Sequence, residues 1–281
     1  MDVRAGLARA VEATAILGTE KSFLKNSVIG DPELNRRGLH RWRVATAARL
    51  SERRRRGLAS RLSAEDRAAL DRDGFVLKPD FLDAETFRAV RAAAFARPQR
   101  AKEMRQGQTV TRHVALGGPG LGPLRAVAAR RDVADLMGYA AGRSGAPAVF
   151  LQTVIAEPAR READPQTALH ADTFHPTAKM WLFLTDVGEE DGPFVFVPGS
   201  ARLTPERLEW EHRQSLTARD DPRRHHALGS FRIAPEELPA LGYGAPRPVP
   251  VKANTLVLAN TYGFHNRAPS AKPTTRVELF G

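Results

Sequence analysis

The residues with the clearest capacity for chemistry lie near the middle of the chain, where His170 and Asp172 are separated by a single residue. Side chains alternate along a β-strand, so residues at positions i and i+2 project from the same face. An imidazole and a carboxylate on one face can take two neighbouring positions on a metal ion. Such pairs also occur by chance, so a metal site requires a third ligand from a distant strand.

Five histidines further along the chain are candidates for that third ligand: His175, His212, His225, His226 and His265. His265 is favoured because it follows residues 255–260, whose composition predicts a strand, and because a sheet that folds on itself brings distant strands together. His175 is so close to His170 that a position facing the substrate or the core is favoured instead. The set His170, Asp172 and His265 is a two-histidine, one-carboxylate triad, which suits a non-haem Fe(II) oxygenase.

A buried cation is predicted on the last strand, where Arg276 stands among apolar and β-branched residues. A 2-oxoacid bound to the metal has a far carboxylate that needs a cation, and the guanidinium fork matches a carboxylate. Arg276 is therefore the predicted oxoacid ligand, and a salt bridge to Glu278 is the alternative. Lys179 shares a strand face with Trp181, and we predict that Lys179 contacts the oxoacid or the substrate.

For some polar residues the sequence is compatible with two roles. Gln152 and Thr185 are candidates to line the site, although structural hydrogen bonding is the favoured role for both. His225 and His226 lie in a polar insertion, residues 203–247, which is predicted to be either a substrate lid or a solvated loop.

The elements that would position these residues change in character along the chain. Ser63 is predicted to cap a helix that ends near Asp73, and Asp83 to cap another. A strand is expected at residues 110–116 and a single helix at residues 123–143. The second half contains short β-rich runs separated by Gly and Pro turns, at residues 148–156, 179–186, 194–197, 255–258 and 275–280. This arrangement predicts an α+β fold built on a sandwich or jelly roll.

Composition narrows the classes of function. The 281 residues include 42% hydrophobic positions, enough for a sizeable core, and no cysteine. The lack of cysteine excludes thiolate zinc sites, iron–sulfur clusters and a cysteine nucleophile. No apolar run approaches the roughly 20 residues that span a bilayer. Asp2, Arg4 and Arg9 interrupt the N-terminal apolar residues, so we expect no secretory signal and a cytoplasmic location.

The net charge of +11 is concentrated near the N-terminus, where residues 21–61 hold twelve Lys and Arg against three acidic residues. We predict two parts, a basic helical segment at residues 1–62 and a catalytic domain at residues 63–281. A solvated helix end or arm is the first interpretation of the segment, and docking on an anionic membrane surface is the second. Nucleic-acid binding is disfavoured because aromatic residues for base stacking are sparse there.

Residues 65–281 resemble the phytanoyl-CoA dioxygenase family of 2-oxoglutarate oxygenases. The motifs that carry the resemblance are residues 73–76, 169–175, 180–186 and 190–200, together with His265 and Arg276. The resemblance implies a double-stranded β-helix, or jelly roll, with flanking helices. The cofactors it implies are Fe(II), 2-oxoglutarate as cosubstrate and O2. Two departures from the family pattern are Ala201, where His is common, and Arg267, where a small or hydroxyl residue often helps to hold the oxoacid. Because of that position, Arg267 is predicted to bind the cosubstrate together with Arg276 and Lys179.

The resemblance implies oxidation of a C–H bond, with release of succinate and CO2, in a small-molecule or lipid-linked substrate. Related halogenases have a small residue in place of the carboxylate, so Asp172 favours hydroxylation, although demethylation, desaturation and ring formation stay open. Two alternatives belong to other classes. One is a metal-dependent hydrolase or isomerase that uses the same ligands and an activated water. The other is a non-catalytic jelly-roll protein that binds metal or lipid.

Overall fold

The computed structural model describes residues 12–159 and 164–281. Residues 1–11 lie outside the described residues, so the helical structure and the absence of a secretory signal expected there stay predictions. Within the described ranges, no helix has both the length and the apolar character needed to cross a membrane.

The structure combines helices with two sheets. The α-helices of the described residues are α1 (Pro32–Arg36), α2 (Leu39–Leu58), α3 (Ala64–Arg72), α4 (Ala84–Phe95), α5 (Gly122–Ala128), α6 (Arg131–Ala141), α7 (Pro205–Thr217) and α8 (Arg224–Ala227). The strands are β1 (Phe75–Lys78), β2 (Lys102–Gln106), β3 (Thr109–Ala115), β4 (Phe150–Ala156), β5 (Ala178–Phe183), β6 (Phe194–Phe196), β7 (Arg247–Val249), β8 (Leu256–Asn260), β9 (His265–Arg267) and β10 (Thr274–Phe280).

All strand pairs are antiparallel. The larger sheet has seven strands in the order β1-β8-β5-β10-β4-β3-β2, and the smaller sheet has three in the order β7-β6-β9. Large aromatic side chains fill the space between the sheets, and the ring centroids of Trp181 and Phe194 are 4.7 Å apart across it. The predicted α+β jelly roll with flanking helices is therefore confirmed.

The central strands of the larger sheet are buried on both faces. In β5, Met180 and Leu182 pack with the core that includes helices α4 to α6, whereas Trp181 and Phe183 belong to the cluster between the sheets. Full burial of each such side chain stabilises the fold by about 1.5–3 kcal/mol. The alternation also places Lys179 on the inner face, where a charged residue has no structural advantage.

Two helix starts follow the predicted capping chemistry. The hydroxyl of Ser63 accepts a hydrogen bond from Asp66 N at 3.1 Å, and the carboxylate of Asp83 accepts one from Thr86 N at 2.9 Å. Each cap satisfies an amide that has no partner within its helix.

Between the two helices, Gly74 has a φ of +88°, and a Cβ there would lie 2.8 Å from the Cβ of Ala201. Only glycine fits this turn into β1.

Three predictions about secondary structure were incomplete. Strand β2 was not expected, because its charged sequence lies at the sheet edge and pairs only with β3. The helix predicted at residues 123–143 is two helices, since Arg130 has extended backbone angles between α5 and α6. The insertion at 203–247 contains α7, whose Trp210 is 1% exposed, so it is not simply a solvated loop.

Residues 12–62 pack against the rest of the structure. Helix α2 contributes His40, which is 2% exposed and whose Nε2 donates to Glu211 of α7 at 3.0 Å. In the run of four arginines, residues 53, 54 and 56 are exposed, while Arg55 donates to the carbonyls of Tyr139 and Ala140. The division of the chain at residue 62 stays a prediction.

A buried ion pair anchors this packing. Glu211 accepts from Arg207 at 3.0 Å, and the side chains of both residues are at most 2% exposed. Burial opposes ionisation of Glu211, but the charge of Arg207 and the hydrogen bond from His40 bring the net pKa of Glu211 below its usual value. Arg207 also lies over the ring of Phe264, 3.7 Å from its centroid.

Replacing Glu211 with Ala should therefore lower the free energy of unfolding by about 3–5 kcal/mol, because it leaves the guanidinium of Arg207 buried and unpaired. Urea unfolding at pH 7 measures the change. The matched control is Glu33→Ala, which removes an exposed partner of Arg36 and Arg37 and should leave stability nearly unchanged. Equal losses of unfolding free energy in the two variants would show that the buried pair stabilises the fold no more than the exposed pairs do.

Candidate metal centre

Backbone hydrogen bonds bring two of the predicted ligands side by side. His170 N donates to His265 O and His265 N donates to His170 O, both at 2.9 Å. Residues paired in this way across an antiparallel bridge have their side chains on the same side. His265 is the first residue of β9, whereas His170 lies in the connection between β4 and β5. Their ring centroids are 4.5 Å apart, and both residues are buried.

Asp172 completes the group. Its backbone N donates to Thr261 O at 3.0 Å, which fixes the short segment after His170. The Oδ1 atom of Asp172 lies 3.7 Å from Nε2 of His170 and 3.7 Å from Nε2 of His265. The potential ligand atoms of all three residues lie within 4.8 Å of one another. Of the five histidines considered for the third position, His265 is the one that joins this group within the described residues.

Both histidines present the nitrogen that a metal needs. Nδ1 of His170 is 2.7 Å from Ala168 O, and Nδ1 of His265 is 2.9 Å from Gly263 O. A carbonyl only accepts hydrogen bonds, so each Nδ1 carries the proton and each Nε2 keeps a free lone pair. Burial lowers the pKa of both imidazoles, which keeps them neutral. Two neutral nitrogens and one carboxylate oxygen form a donor set suited to Fe(II).

Asp172 is charged and is the more accessible member of the triad. Burial alone would raise its pKa, but the ammonium group of Lys179 outweighs burial and brings the pKa below its ordinary value. Nζ of Lys179 is 2.7 Å from Oδ2 of Asp172. The Asp172 side chain is 22% exposed, compared with 3% for His170 and 5% for His265. The centre is therefore open to solvent on the side of Asp172 and Lys179.

A cavity of about 200 Å³ lies between the two sheets and reaches the triad. Its walls include His170, His265 and Lys179, together with the aromatic rings of Trp181 and Phe194. Its polar lining comes from both sheets and from the connection before His170, and comprises Gln106, Thr111, His113, Gln152, Gln166, Asn266, Arg267 and Arg276.

Arg276 lies on the inner face of β10 and lines this cavity. Its Nη1 donates to Gly192 O at 2.6 Å, and its Nε is 3.5 Å from Oε2 of the fully buried Glu278. Burial lowers the pKa of Arg276, while the charge of Glu278 opposes that shift. Within the described residues, neither Nε of Arg276 nor Oε2 of Glu278 has a hydrogen-bond partner. A buried guanidinium with a free donor fits the carboxylate of an oxoacid.

Arg267 lines the same cavity but is held by a different partner. Its Nη2 forms a short hydrogen bond with Oδ2 of Asp164 and donates to Oγ1 of Thr109 at 3.1 Å. Thr109 also donates to Asp164 at 2.6 Å. Asp164 is 4% exposed, so the guanidinium of Arg267 compensates a buried carboxylate.

Other polar residues singled out from the sequence have structural partners. Thr185 accepts a hydrogen bond from Val277 N at 3.1 Å, and Gln152 donates to Glu278 at 2.6 Å. His175 is half-buried, and its Nδ1 lies 3.1 Å from the carbonyl of Pro176. His226 is stacked on Phe231, with ring centroids 4.6 Å apart.

Two cations near the triad had no signal in the sequence. Nζ of Lys21 donates to the main-chain O of Asp172 at 2.5 Å. Arg232 forms a β-bridge with His170 and is 8% exposed. Both are brought to the centre by tertiary packing of segments far from the His170 motif, and their spacing in the sequence follows no pattern.

Comparison with solved structures finds a similar fold in one protein with a TM-score above 0.5, and further proteins match below that score. The non-haem α-ketoglutarate-dependent epimerase SnoN from nogalamycin biosynthesis has a TM-score of 0.51 and 23% identity, over 76% of this chain and 79% of that one. HygX from Streptomyces hygroscopicus, with nickel, 2-oxoglutarate and hygromycin B bound, has a TM-score of 0.48 and 13% identity, over 78% and 86%. EctD from S. alaskensis with bound Fe has a TM-score of 0.46 and 18% identity, over 78% of this chain and 75% of that one.

Among curated proteins, none matches this sequence. The profile of the family described as phytanoyl-CoA dioxygenase (PhyH) matches residues 70–266, which is more than half of the chain and includes the three triad residues. The chain therefore belongs to the phytanoyl-CoA dioxygenase family of iron- and 2-oxoglutarate-dependent enzymes.

Proposed function

We propose that the protein is an Fe(II)- and 2-oxoglutarate-dependent dioxygenase that hydroxylates a C–H bond of a small-molecule or lipid-linked substrate. The observation that carries the proposal is the meeting of two neutral Nε2 atoms and one ionised carboxylate at the end of a cavity that also contains Arg276. When bound together, Fe(II), 2-oxoglutarate and O2 supply oxidation of a C–H bond, with release of succinate and CO2.

The assigned roles follow from the contacts of each side chain. His170, Asp172 and His265 hold Fe(II), and the two carbonyls that accept from the Nδ1 atoms keep both rings oriented. The triad leaves the remaining coordination positions open for the oxoacid and O2. The rings of Trp181 and Phe194 make one part of the cavity wall apolar, which limits the access of water on that side.

Arg276 holds the far carboxylate of 2-oxoglutarate in this proposal. Within the described residues its Nε has no hydrogen-bond partner, and this, together with its position on the inner face of β10, supports the assignment. Lys179 and Arg267 also line the cavity, so both lie near the bound oxoacid. Arg267 is paired with Asp164, and Lys179 is paired with Asp172, so their contribution to oxoacid binding is secondary.

Asp172 also bears on the type of reaction. A halide ion would need the coordination position that this carboxylate occupies, so the triad favours transfer of a hydroxyl group over halogenation. Asp172 is fixed at its backbone by Thr261 and at its side chain by Lys179, which makes it a permanent part of the site.

The first test is an anaerobic titration of the metal-free chain with Fe(II) and 2-oxoglutarate, which gives a weak visible charge-transfer band when the oxoacid chelates iron. The band should form in the wild type and be lost in His265→Ala, because the two protein ligands that remain are too few to hold the ion. His175→Ala is the matched control and should keep the band, since His175 lies outside the triad. Fe(II) binding without a band in the wild type would favour the hydrolase or the non-catalytic alternative.

A second test separates the two cavity arginines. Arg276→Gln should raise the KM for 2-oxoglutarate by about 10- to 100-fold, because a charge-assisted hydrogen bond contributes about 1.5–3 kcal/mol. Arg267→Gln should raise that KM much less, but it should lower stability, because Asp164 is left buried without its cation. Succinate formation and urea unfolding measure the two effects. A larger KM change in Arg267→Gln would transfer the main carboxylate contact to Arg267.

Peripheral association with an anionic membrane is a second part of the proposal. Trp42 is 48% exposed on α2. Arg49, Arg53 and Arg56 are also exposed, and they follow Trp42 by 7, 11 and 14 residues. At 3.6 residues per turn these positions share one face, so an aromatic residue and three cations point outward together. A lipid-linked substrate would be reached from such a surface.

Flotation with phosphatidylserine-containing vesicles tests this association. The wild type should bind at low salt and be released at about 1 M salt, where the Debye length falls to about 3 Å. Replacing Arg49, Arg53 and Arg56 with Gln should abolish binding. The matched control replaces the exposed Arg88, Arg91 and Arg97 with Gln, which removes the same charge elsewhere. Equal losses in the two triple variants would mean that only net charge matters.

A further inference from the structure

Three cations lie near the metal centre. Lys179 pairs with Oδ2 of Asp172 at 2.7 Å, and Lys21 donates to the main-chain O of the same residue at 2.5 Å. Arg232 lies opposite His170 in an antiparallel bridge, so its side chain is on the same side as the imidazole. Asp172 is the carboxylate that these cations share.

Arg232 is buried, and its hydrogen bonds within the described ranges go to neutral groups. Its guanidinium donates to the carbonyl of Ser230 at 2.6 Å, to the hydroxyl of Ser230 at 2.5 Å and to the carbonyl of Pro165 at 3.4 Å. Within the described residues it forms no salt bridge. A buried charge whose hydrogen bonds all go to neutral acceptors, and whose nearby carboxylate is shared with two other cations, is costly for a fold, so its presence beside a catalytic centre points to a ligand.

The position of Lys21 is built into the structure. Phe23 stacks on Phe231 with ring centroids 5.4 Å apart, and its N donates to Ala227 O at 3.1 Å. Gly229 has a φ of +83°, and a Cβ at this position would lie 2.1 Å from the carbonyl oxygen of Lys21. Only glycine allows this approach. The segment with Lys21 and the segment with Arg232 are therefore held against each other beside His170.

Bound iron would leave this cluster short of negative charge. Asp172 would then serve the metal, and the far carboxylate of 2-oxoglutarate is assigned to Arg276, within the cavity between the sheets. Lys21 and Lys179 are only half-buried and lie on the side from which the centre is accessible. An anion that approaches from solvent would meet these cations close to the metal.

We infer that Lys21 and Arg232, beside Lys179, form an oxyanion-binding site that takes a carboxylate or phosphate group of the substrate. The inference rests on the proposed function. It assigns a substrate class, an anionic molecule whose charged group lies near the carbon that is oxidised. It also assigns a role to residue 21, which lies outside the family match at residues 70–266.

The test uses the full chain loaded with Mn(II) and saturated with 2-oxoglutarate. Paramagnetic relaxation of the phosphorus nucleus of monomethyl phosphate, and of the methyl protons of acetate, reports binding of each anion near the metal. Saturable binding of either probe is expected, and the stronger probe identifies the group as phosphate or carboxylate. Saturation with 2-oxoglutarate keeps the probes away from Arg276.

Lys21→Met and Arg232→Met should each weaken probe binding by about 10-fold or more, because each removes a charged hydrogen-bond donor. Lys21→Arg should largely restore binding. Lys25→Met and Arg224→Met, which change exposed cations in the same two segments, should have less than about a twofold effect. Circular dichroism and thermal unfolding verify that each variant folds. If Lys21→Met does not fold, the change in probe binding in Arg232→Met is the test of the anion site.

The chelate band of Fe(II) and 2-oxoglutarate separates this inference from the proposed function. A wild-type band without saturable probe binding overturns the anion site alone. Probe binding that is unchanged in both Met variants means that the anion binds the metal directly, which also overturns the site. Loss of the band in Lys21→Met would make Lys21 a positioning residue for Asp172. A missing band in the wild type contradicts the proposed function itself.

Discussion

The reciprocal pair of backbone hydrogen bonds between His170 and His265 is the constraint on which the candidate site depends. The two residues are 95 positions apart in the sequence, and the pair sets the spacing of their side chains directly. Asp172 then falls on the same side, because it follows His170 by two residues and its N is held by Thr261 O. The ligand geometry is therefore a property of strand pairing, and flexible side chains contribute little to it.

Strand pairing of this kind needs two sheets that face each other at a fixed distance. The aromatic contacts between the sheets, such as Trp181 against Phe194, supply that distance. The same inner face carries Lys179, Arg276 and Glu278 at positions where apolar residues would stabilise the core more. Charges there are tolerated because each has a partner or faces the cavity. The charged residues of the candidate site thus stand at inward-facing strand positions that apolar core residues would otherwise fill.

This alternation explains which features could be predicted from the sequence. The spacing of His170 and Asp172, and an arginine inside an apolar strand, are local signals that hold in any fold built from these strands. The caps at Ser63 and Asp83 are local as well, since each needs only an amide three residues further on. The jelly roll followed from many short strands and from the family resemblance.

The features that were missed depend on contacts between distant segments. Strand β2 has a charged sequence, and it is a strand only because β3 pairs with it at the sheet edge. Helix α7 is polar by composition. Its Arg207 is nevertheless buried, because Glu211 forms an ion pair with the guanidinium and the ring of Phe264 packs against it. Lys21 and Arg232 belong to the same category, because nothing near either residue in the sequence indicates proximity to His170.

The position of Lys21 has a consequence for how such an enzyme selects its substrate. His265 and Arg276 belong to paired strands, and His170 is bridged to His265, so a change at these positions also alters the fold. The segment that carries Lys21 lies outside both sheets and is attached by the stack of Phe23 on Phe231 and by the backbone hydrogen bond from Phe23 N to Ala227 O. A segment attached in this way can be replaced while the sheets stay the same. The charge that faces the substrate is therefore set independently of the chemistry at the metal, so one jelly roll can serve anionic and neutral substrates by changing the residues that lie against its open side.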